Sequence, residues 1–305
     1  MISEFSERTR RLAEDHAAAF PGTAGFVAAV DDARNVIEAK PPVFSFTFYL
    51  DPNPQTMGGD PNIVFPRLVT ETEGWMGSIV HSTEYRIANF LDDLVTGIND
   101  ARPYRSVGAA RSLVELSAFV HHYTKTLVKE ATKLSSQPSD DSPAIIKYIV
   151  AILKAATHFA QVTRFNWGAR ARGDMEEFFT KWDSVEERVK APQILTLIDK
   201  LPGEEKRAAR FFYEMLCDYV HPNFGAHTLV INRAEALPAG QMRHELSREP
   251  DSDEALSVLI HAVAIPVRSA IRILLDDLEQ LRRLQDFFGQ WRQHCEAVAK
   301  GEIQP

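Results

Sequence analysis

Residues 210–232 read RFFYEMLCDYVHPNFGAHTLVIN and join the end of an amphipathic helix, a tight turn and a short strand. Apolar residues recur at helical spacing as far as Tyr219, and Pro222 restricts the residue before it to extended backbone, so the helix is predicted to end there. Residues 222–225 contain an asparagine and a glycine, which adopt positive φ readily and predict a turn. The alternation in 228–232 predicts a strand. This stretch therefore indicates a helical protein that carries a small β element.

Three polar residues share one face of this helix, because Glu214, Asp218 and His221 are spaced i, i+4 and i+7. In one interpretation, His221 is a general acid or base tuned by Asp218 or Glu214, with His227 close by. In the other, His221 caps the negative C-terminal end of the helix, and the residues after it only turn the chain. The residues alone leave both interpretations open.

A second helix, predicted over 104–134, carries the residues expected to face His221. Arg111 and Glu115 lie opposite its apolar side. If the two polar faces meet, Arg111 and Glu115 line a cleft with His221, and Arg111 or Arg210 stabilises phosphate charge. If they do not meet, Arg111 and Glu115 form an ordinary solvated ion pair that contributes little to stability.

The end of the helix that precedes Pro222 resembles a signature of a helical, largely uncharacterised bacterial family, Tyr-x-x-Leu-Ser-Glu-(Phe/Tyr)-Val-His-Pro-Asn. Such proteins are distantly similar to HEPN-type domains, helical bundles that include RNA-cleaving toxins and defence proteins. The resemblance implies a metal-independent ribonuclease or an RNA-binding protein of a bacterial stress or defence system. Here Cys217 replaces the usual serine and Asp218 the usual glutamate. The matching residues are Tyr213, Leu216, Cys217, Asp218, Tyr219, Val220, His221, Pro222 and Asn223.

Active HEPN ribonucleases carry an arginine four to six residues before the histidine, whereas ten residues separate Arg210 from His221. This spacing favours a second class of function, a non-catalytic helical scaffold or sensor subunit that acts through protein–protein interaction. The polar face of Glu214, Asp218 and His221 favours the ribonuclease. Both classes are kept as expectations.

A cluster of arginines is the other candidate for RNA contact. Arg164, Arg170 and Arg172 occur in RFNWGARARGD beside a tryptophan, and arginine with an aromatic residue is a combination that binds RNA or phosphate. The alternative is a solvated loop with the tryptophan packed inward. We add Arg210 to these candidate RNA-binding residues.

Composition and net charge limit the classes of function that the chain can have. A net charge of −8 over 305 residues argues against binding nucleic acid through the whole surface, but it leaves room for a local basic groove. The two cysteines have no paired spacing, which suits a reducing compartment, and no motif for a metal or cofactor is present. The N-terminus lacks the apolar core of a signal peptide, and the apolar run at 255–267 is shorter than the roughly 20 residues of a membrane span. We therefore expect a cytoplasmic protein without membrane contact.

The fold predicted from these patterns is mostly α, a multi-helix bundle in a single domain over residues 1–305. A β/loop excursion over 41–70 and 227–248 is expected to cover one end of the bundle. Within it, the alternating residues 44–50 are predicted to pair antiparallel with 228–232. The last helix is predicted to begin near Ser252, and its apolar stripe is a core feature or the interface of a homodimer.

Overall fold

The computed structural model describes residues 2–46, 61–138, 142–161, 192–201, 203–222 and 224–300. Within these ranges the chain forms nine α-helices and one two-stranded antiparallel sheet, which confirms the mostly α architecture with a small β element. The elements are α1 (Glu7–Ala19), α2 (Phe26–Glu38), α3 (Pro61–Asn99), α4 (Pro103–Ser135), α5 (Ser142–Gln161), α6 (Ile194–Ile198), α7 (Gly203–Val220), α8 (Phe224–Thr228), β1 (Ile231–Leu237), β2 (Gln241–Leu246) and α9 (Asp253–Ala299).

The chain divides into two compact units. Unit 1 contains Met1–Pro42, Thr83–His121 and Ile194–Asp277, and unit 2 contains Val43–Ser82, His122–Gln193 and Leu278–Pro305. The boundary falls within α3, α4 and α9, so these three helices contribute residues to both units. The predicted single domain over 1–305 stays a prediction, and all the candidate residues on α4 and α7 belong to unit 1.

The core of unit 1 is built from helix faces whose apolar residues recur every three or four positions. Burying each large aliphatic side chain contributes about 1.5–3 kcal/mol, and this burial fixes which side of α4 faces inward. Arg111 and Glu115 of α4 are then left, partly exposed, at the border of the core. Core residues with no exposed surface are Leu91, Leu94, Val95 and Ile98 of α3, Val107, Ala110 and Leu113 of α4, and Ala262, Val263, Ala264, Val267 and Leu274 of α9.

A tight connection joins α3 to α4. Ala101 adopts a positive φ of 53°, and the backbone N–H of Arg102 donates to the carbonyl of Gly97 at 2.7 Å. The helices approach so closely that a Cβ at Gly97 would lie 2.5 Å from Ser106 Oγ and 2.9 Å from its backbone nitrogen. Glycine at 97 therefore permits the turn that places Arg102 and the start of α4.

The start of α9 agrees with the prediction made near Ser252. Ser252 Oγ accepts a hydrogen bond from the backbone N–H of Ala255 at 3.0 Å, as an N-capping serine does. Asp253 and Glu254 place negative charge in the first turn, where the helix dipole favours it.

The sheet differs from the predicted one. Its strands β1 and β2 form a local hairpin, with Arg233 opposite Glu245 and Glu235 opposite Arg243. The strand begins at Ile231 because residues 224–228 form α8 instead. The predicted pairing of 228–232 with 44–50 was therefore wrong for the described part of these segments. Closing a hairpin of adjacent residues costs far less chain entropy than joining segments so distant in the sequence.

The turn of this hairpin explains why its strands find each other. It is a short 3-10 segment, Pro238–Gly240, in which Gly240 has a φ of 73° that suits glycine. The hairpin lies within the range 227–248 predicted as a β/loop excursion. In the other predicted range, 41–70, residues 61–70 are helical, residues 44–46 have no regular secondary structure, and 47–60 lie outside the described residues.

Apolar helices in the described part of the chain raise the question of membrane contact. Both α5 and α9 are long and apolar enough to cross a bilayer, judged by length and composition alone, a test that buried core helices also pass. In α9, 61% of the apolar window is buried within the chain, against 28% in α5. The apolar stripe of α9 that suggested a homodimer is itself in the core, with Leu274, Leu278, Leu281 and Phe288 fully buried. A dimer through α9 would have to use other residues.

Candidate functional site

Arg111, Glu115 and Tyr213 form a closed hydrogen-bonded cluster between α4 and α7. Arg111 Nε donates to Glu115 Oε1 at 3.0 Å and Arg111 Nη2 donates to the Tyr213 hydroxyl at 3.2 Å. The Tyr213 hydroxyl in turn donates to Glu115 Oε1 at 3.0 Å. The guanidinium carbon also lies 5.4 Å from the centre of the Tyr213 ring, within cation–π range.

The sequence produces this cluster through two helical periods. Arg111 and Glu115 are one turn apart on α4, which allows their side chains to meet. Tyr213 lies on the inner side of α7, only 5% exposed, and its hydroxyl needs a partner because it is removed from water. The arginine and the carboxylate supply that partner, so all three side chains are held in one arrangement.

Burial and neighbouring charge control protonation in the cluster. Burial raises the pKa of Tyr213 to about 12, and the charge of Glu115 acts in the same direction while Arg111 opposes it. Partial burial lowers the pKa of Arg111, but its hydrogen bond with Tyr213 and the charge of Glu115 outweigh that effect and the net shift is upward. At neutral pH the tyrosine is therefore a hydrogen-bond donor and the arginine is charged.

His221 lies away from this cluster. Within the described residues, Arg111 has no hydrogen bond or ion pair with His221. Tyr213 precedes His221 by eight positions, which corresponds to about 12 Å along the helix axis. The imidazole of His221 is exposed at the C-terminal end of α7, and its backbone N–H donates to the carbonyl of Cys217 at 3.1 Å. The structure thus places Arg111 and Glu115 against α7, but beside Tyr213 and not at the C-terminal end of the helix, where His221 lies.

Glu214 and Asp218 lie on the outer side of α7. Glu214 is exposed and pairs with Arg210 at 2.5 Å, while Arg210 also approaches Asp199 at 3.4 Å. Asp218 lies against α8, where a Cβ added at Gly225 would clash with Asp218 Oδ2. Asp218 therefore borders the corner between α7 and α8.

The remaining arginine candidates come from two parts of the sequence. Arg164, Arg170 and Arg172 lie outside the described residues. Arg210 is the only member of the predicted RNA-binding set that the described ranges include, and its hydrogen bond to Glu214 is the main cause of its raised pKa.

A cleft with three arginines lies near the start of α4, and we call it the arginine cleft. It has a volume of about 440 Å³ and is lined by Arg102, Pro103, Tyr104, Arg105 and Arg248. The Tyr104 hydroxyl donates to the carbonyl of Ala226 in α8 at 3.1 Å, which connects the cleft to the corner after α7. The α3–α4 turn supplies Arg102, the first turn of α4 supplies the next three lining residues, and the segment after β2 supplies Arg248.

Two of the three arginines of the arginine cleft are paired with carboxylates. Arg102 pairs with Glu249 at 2.7 Å and Arg105 pairs with Asp93 at 2.8 Å. Both pairs are well exposed, with side-chain exposures between 41% and 57%, so water screens them and they are worth little as isolated contacts. Arg248 has no ion pair in the part of the chain that the structure describes. A phosphate can therefore compete for these arginines with little loss of stability.

Some residues of the cluster and of the arginine cleft could be predicted from the sequence, and others could not. The run Arg102-Pro103-Tyr104-Arg105 places two arginines and an aromatic residue at a helix start, a pattern of the kind that binds phosphate. Tyr213 also had a signal, because it lies three positions before Leu216 and so shares the apolar face of the helix. Arg248 had none, since only the hairpin brings it to the start of α4.

No group of three or more histidine, cysteine, aspartate or glutamate side chains able to hold a metal ion occurs among the described residues. No protein-family model, no curated protein sequence and no solved structure matches this chain.

Proposed function

We propose that this protein binds RNA through phosphate contacts at the arginine cleft and acts as a helical component of a bacterial stress or defence system. The observation that carries the proposal is the convergence of Arg102, Arg105 and Arg248 with Tyr104 on one open cleft. The resemblance of the corner to HEPN-type proteins supports the choice of RNA over other phosphate-bearing ligands.

The chemistry of the cleft suits a nucleic-acid backbone. Guanidinium groups bind phosphate oxygens with two parallel hydrogen bonds, and the N-terminal end of α4 adds the positive end of a helix dipole. Tyr104 is 48% exposed, so its ring can stack on an unpaired base, a contact that does not depend on base identity. An RNA single strand offers both the phosphates and the bases that this combination takes.

The geometry favours binding over cleavage. Arg111, the residue expected to stabilise phosphate charge beside His221, is occupied by Glu115 and Tyr213. His221 itself is exposed, and Glu214 pairs with Arg210. Ribonuclease activity requires an acid or base and a cation on the same phosphate, and these groups are separated here.

Binding of a fluorescently labelled single-stranded RNA to the full chain, followed by anisotropy, tests the proposal. We expect Arg105→Ala and Arg248→Ala each to weaken binding by a factor of about 5–10, the effect of losing a charge-assisted contact. Arg283→Ala is the matched control, because Arg283 is an exposed arginine paired with Glu279 on α9. Unchanged affinity in both cleft variants, with folding intact by circular dichroism, would contradict the proposal.

The same samples test cleavage. Incubation of the protein with total RNA, analysed on a denaturing gel, is expected to leave the RNA intact. Degradation that disappears in His221→Ala, while the variant keeps its fold, would instead assign a metal-independent ribonuclease to the corner.

A scaffold that acts through protein–protein interaction is the second candidate, and exposed aromatic side chains support it. Phe211 on α7 is 62% exposed and Phe224 on α8 is 80% exposed, and large apolar side chains at such exposure often mark interaction sites. Absence of RNA binding by the wild-type chain at low salt would move this candidate ahead of the first.

A further inference from the structure

Two histidines that are far apart in the sequence meet on the surface of unit 1. His16 lies in the last turn of α1 and His261 lies in the third turn of α9, separated by 245 positions. His16 Nε2 and His261 Nδ1 are 3.0 Å apart, and the two rings meet edge to face with their centres 5.1 Å apart. Their ring nitrogens therefore point at one another from two different helices.

An aromatic side chain holds both rings in place. Phe20 stacks on His16 with ring centres 4.7 Å apart and packs against His261 at 5.1 Å. Phe20 is itself 50% exposed and His261 is exposed, so the pair is open to solvent and to small ions. Phe20 keeps the two rings together and both remain accessible to an ion. To share one ion, each ring turns so that the two nitrogens converge on it.

The spacing of the two nitrogens matches that of neighbouring ligands on one metal ion. With metal–nitrogen bonds of about 2.0–2.1 Å, two imidazoles are about 3.3 Å apart at a tetrahedral angle and about 2.9 Å apart at a right angle. The observed 3.0 Å falls between these values. We propose that His16 and His261 bind a divalent transition-metal ion, Cu²⁺, Ni²⁺ or Zn²⁺, whose other positions are filled by water.

Both imidazoles must be unprotonated at the atoms that bind. The hydrogen that bridges the two nitrogens without metal moves to the other nitrogen of its own ring when the ion enters. The ion then replaces a hydrogen bond with two coordinate bonds and joins α1 to α9.

Isothermal titration of the full chain with CuCl₂, NiCl₂ or ZnCl₂ tests the site, with MgCl₂ as the control ion, since Mg²⁺ prefers oxygen ligands. We expect one transition-metal ion per chain and no heat from Mg²⁺. His16→Ala and His261→Ala should each weaken binding at least tenfold, and the double variant should be little worse than either single variant. His227→Ala with His244→Ala is the matched control pair, because those rings are near one another but 6.5 Å apart between centres.

A second measurement separates the site from weak binding by scattered histidines. Because the ion joins two helices of the native state only, saturating Zn²⁺ should raise the Tm of the wild type by about 2 °C or more. The Tm of His16→Ala should not respond to the ion. Equal stoichiometric binding in the wild type and both site variants, or a Tm that rises equally in all of them, would overturn the proposal.

Discussion

Tyr213 determines how Arg111 is used. An arginine and a glutamate one turn apart on an exposed helix contribute little to stability, but the hydroxyl of a buried tyrosine turns this pair into a network that joins α4 to α7. Each of the three side chains bonds to the other two, so removal of one leaves the others partly buried with a hydrogen bond missing. The site is therefore sensitive to changes that keep size and shape.

Tyr213→Phe is expected to lower the free energy of unfolding by about 1–2 kcal/mol, because the change removes two hydrogen bonds and keeps the packing of the ring. Chemical denaturation at pH 7 measures the loss. Tyr148→Phe, a half-buried tyrosine on α5, serves as the control and should change stability less. A loss in the control as large as that in Tyr213→Phe would contradict the role given to this network.

The raised pKa of Tyr213 also predicts how stability depends on pH. The hydroxyl of the folded chain ionises near pH 12, whereas that of the unfolded chain ionises near its usual value of 10. The stabilisation from this group is complete below pH 10 and is lost as the pH rises from 10 to 12, because the unfolded state loses its proton first. Denaturation at several pH values should show a shallower decline in Tyr213→Phe than in the wild type. Identical slopes of stability against pH in the wild type and Tyr213→Phe would contradict the role given to the Tyr213 hydroxyl.

At the scale of elements, helix periodicity was readable from the chain and the pairing of distant segments was not. The 104–134 helix was predicted almost to its ends, because its apolar positions recur without interruption and Pro103 starts it. The sheet was misplaced because the alternating residues 44–50 resemble a strand, whereas the exposed residues of β2 carry little apolar alternation. His16 and His261 could not be paired at all, since 245 residues separate them.

The close approach of α3 and α4 predicts the effect of a single methyl group. Gly97→Ala places a Cβ within 2.9 Å of the Ser106 backbone nitrogen, so the two helices must move apart at the arginine cleft. We expect a loss of about 1–3 kcal/mol. Gly108→Ala is the matched control, since nothing lies within 4 Å of its added Cβ and alanine favours the helix. Thermal denaturation of both variants measures the change in stability. Equal Tm values for Gly97→Ala and Gly108→Ala would refute the prediction.

At the scale of the molecule, the net charge of −8 would confine the proposed RNA binding to a local surface. An acidic protein repels RNA except where its arginines cluster, so the proposed complex would contact few phosphates at once. The arginine cleft was only partly predictable from the sequence. The net charge indicated that any basic groove would be local, but only the tertiary fold brings Arg248 to this cleft.

Few phosphate contacts predict a weak dependence of RNA affinity on salt. With about three phosphates neutralised by the arginine cleft, the logarithm of the association constant should fall with the logarithm of salt concentration at a slope of about −2. Arg248→Ala should reduce the slope by about 0.7. Anisotropy titrations at salt concentrations between about 50 and 200 mM measure both slopes. A slope several times steeper would place the binding on a larger basic surface.

The β1–β2 hairpin has a practical consequence as a place for attachment. Every residue of β2 is exposed, and so are Pro238 and Gly240 of the turn that closes the hairpin. Insertions succeed most often at exposed tips of this kind. We expect an epitope tag inserted between Ala239 and Gly240 to leave the Tm unchanged within about 2 °C. Such an insertion would provide a handle for immobilising the protein or labelling it with a fluorophore while α1, α4, α7 and α9 keep their native surfaces.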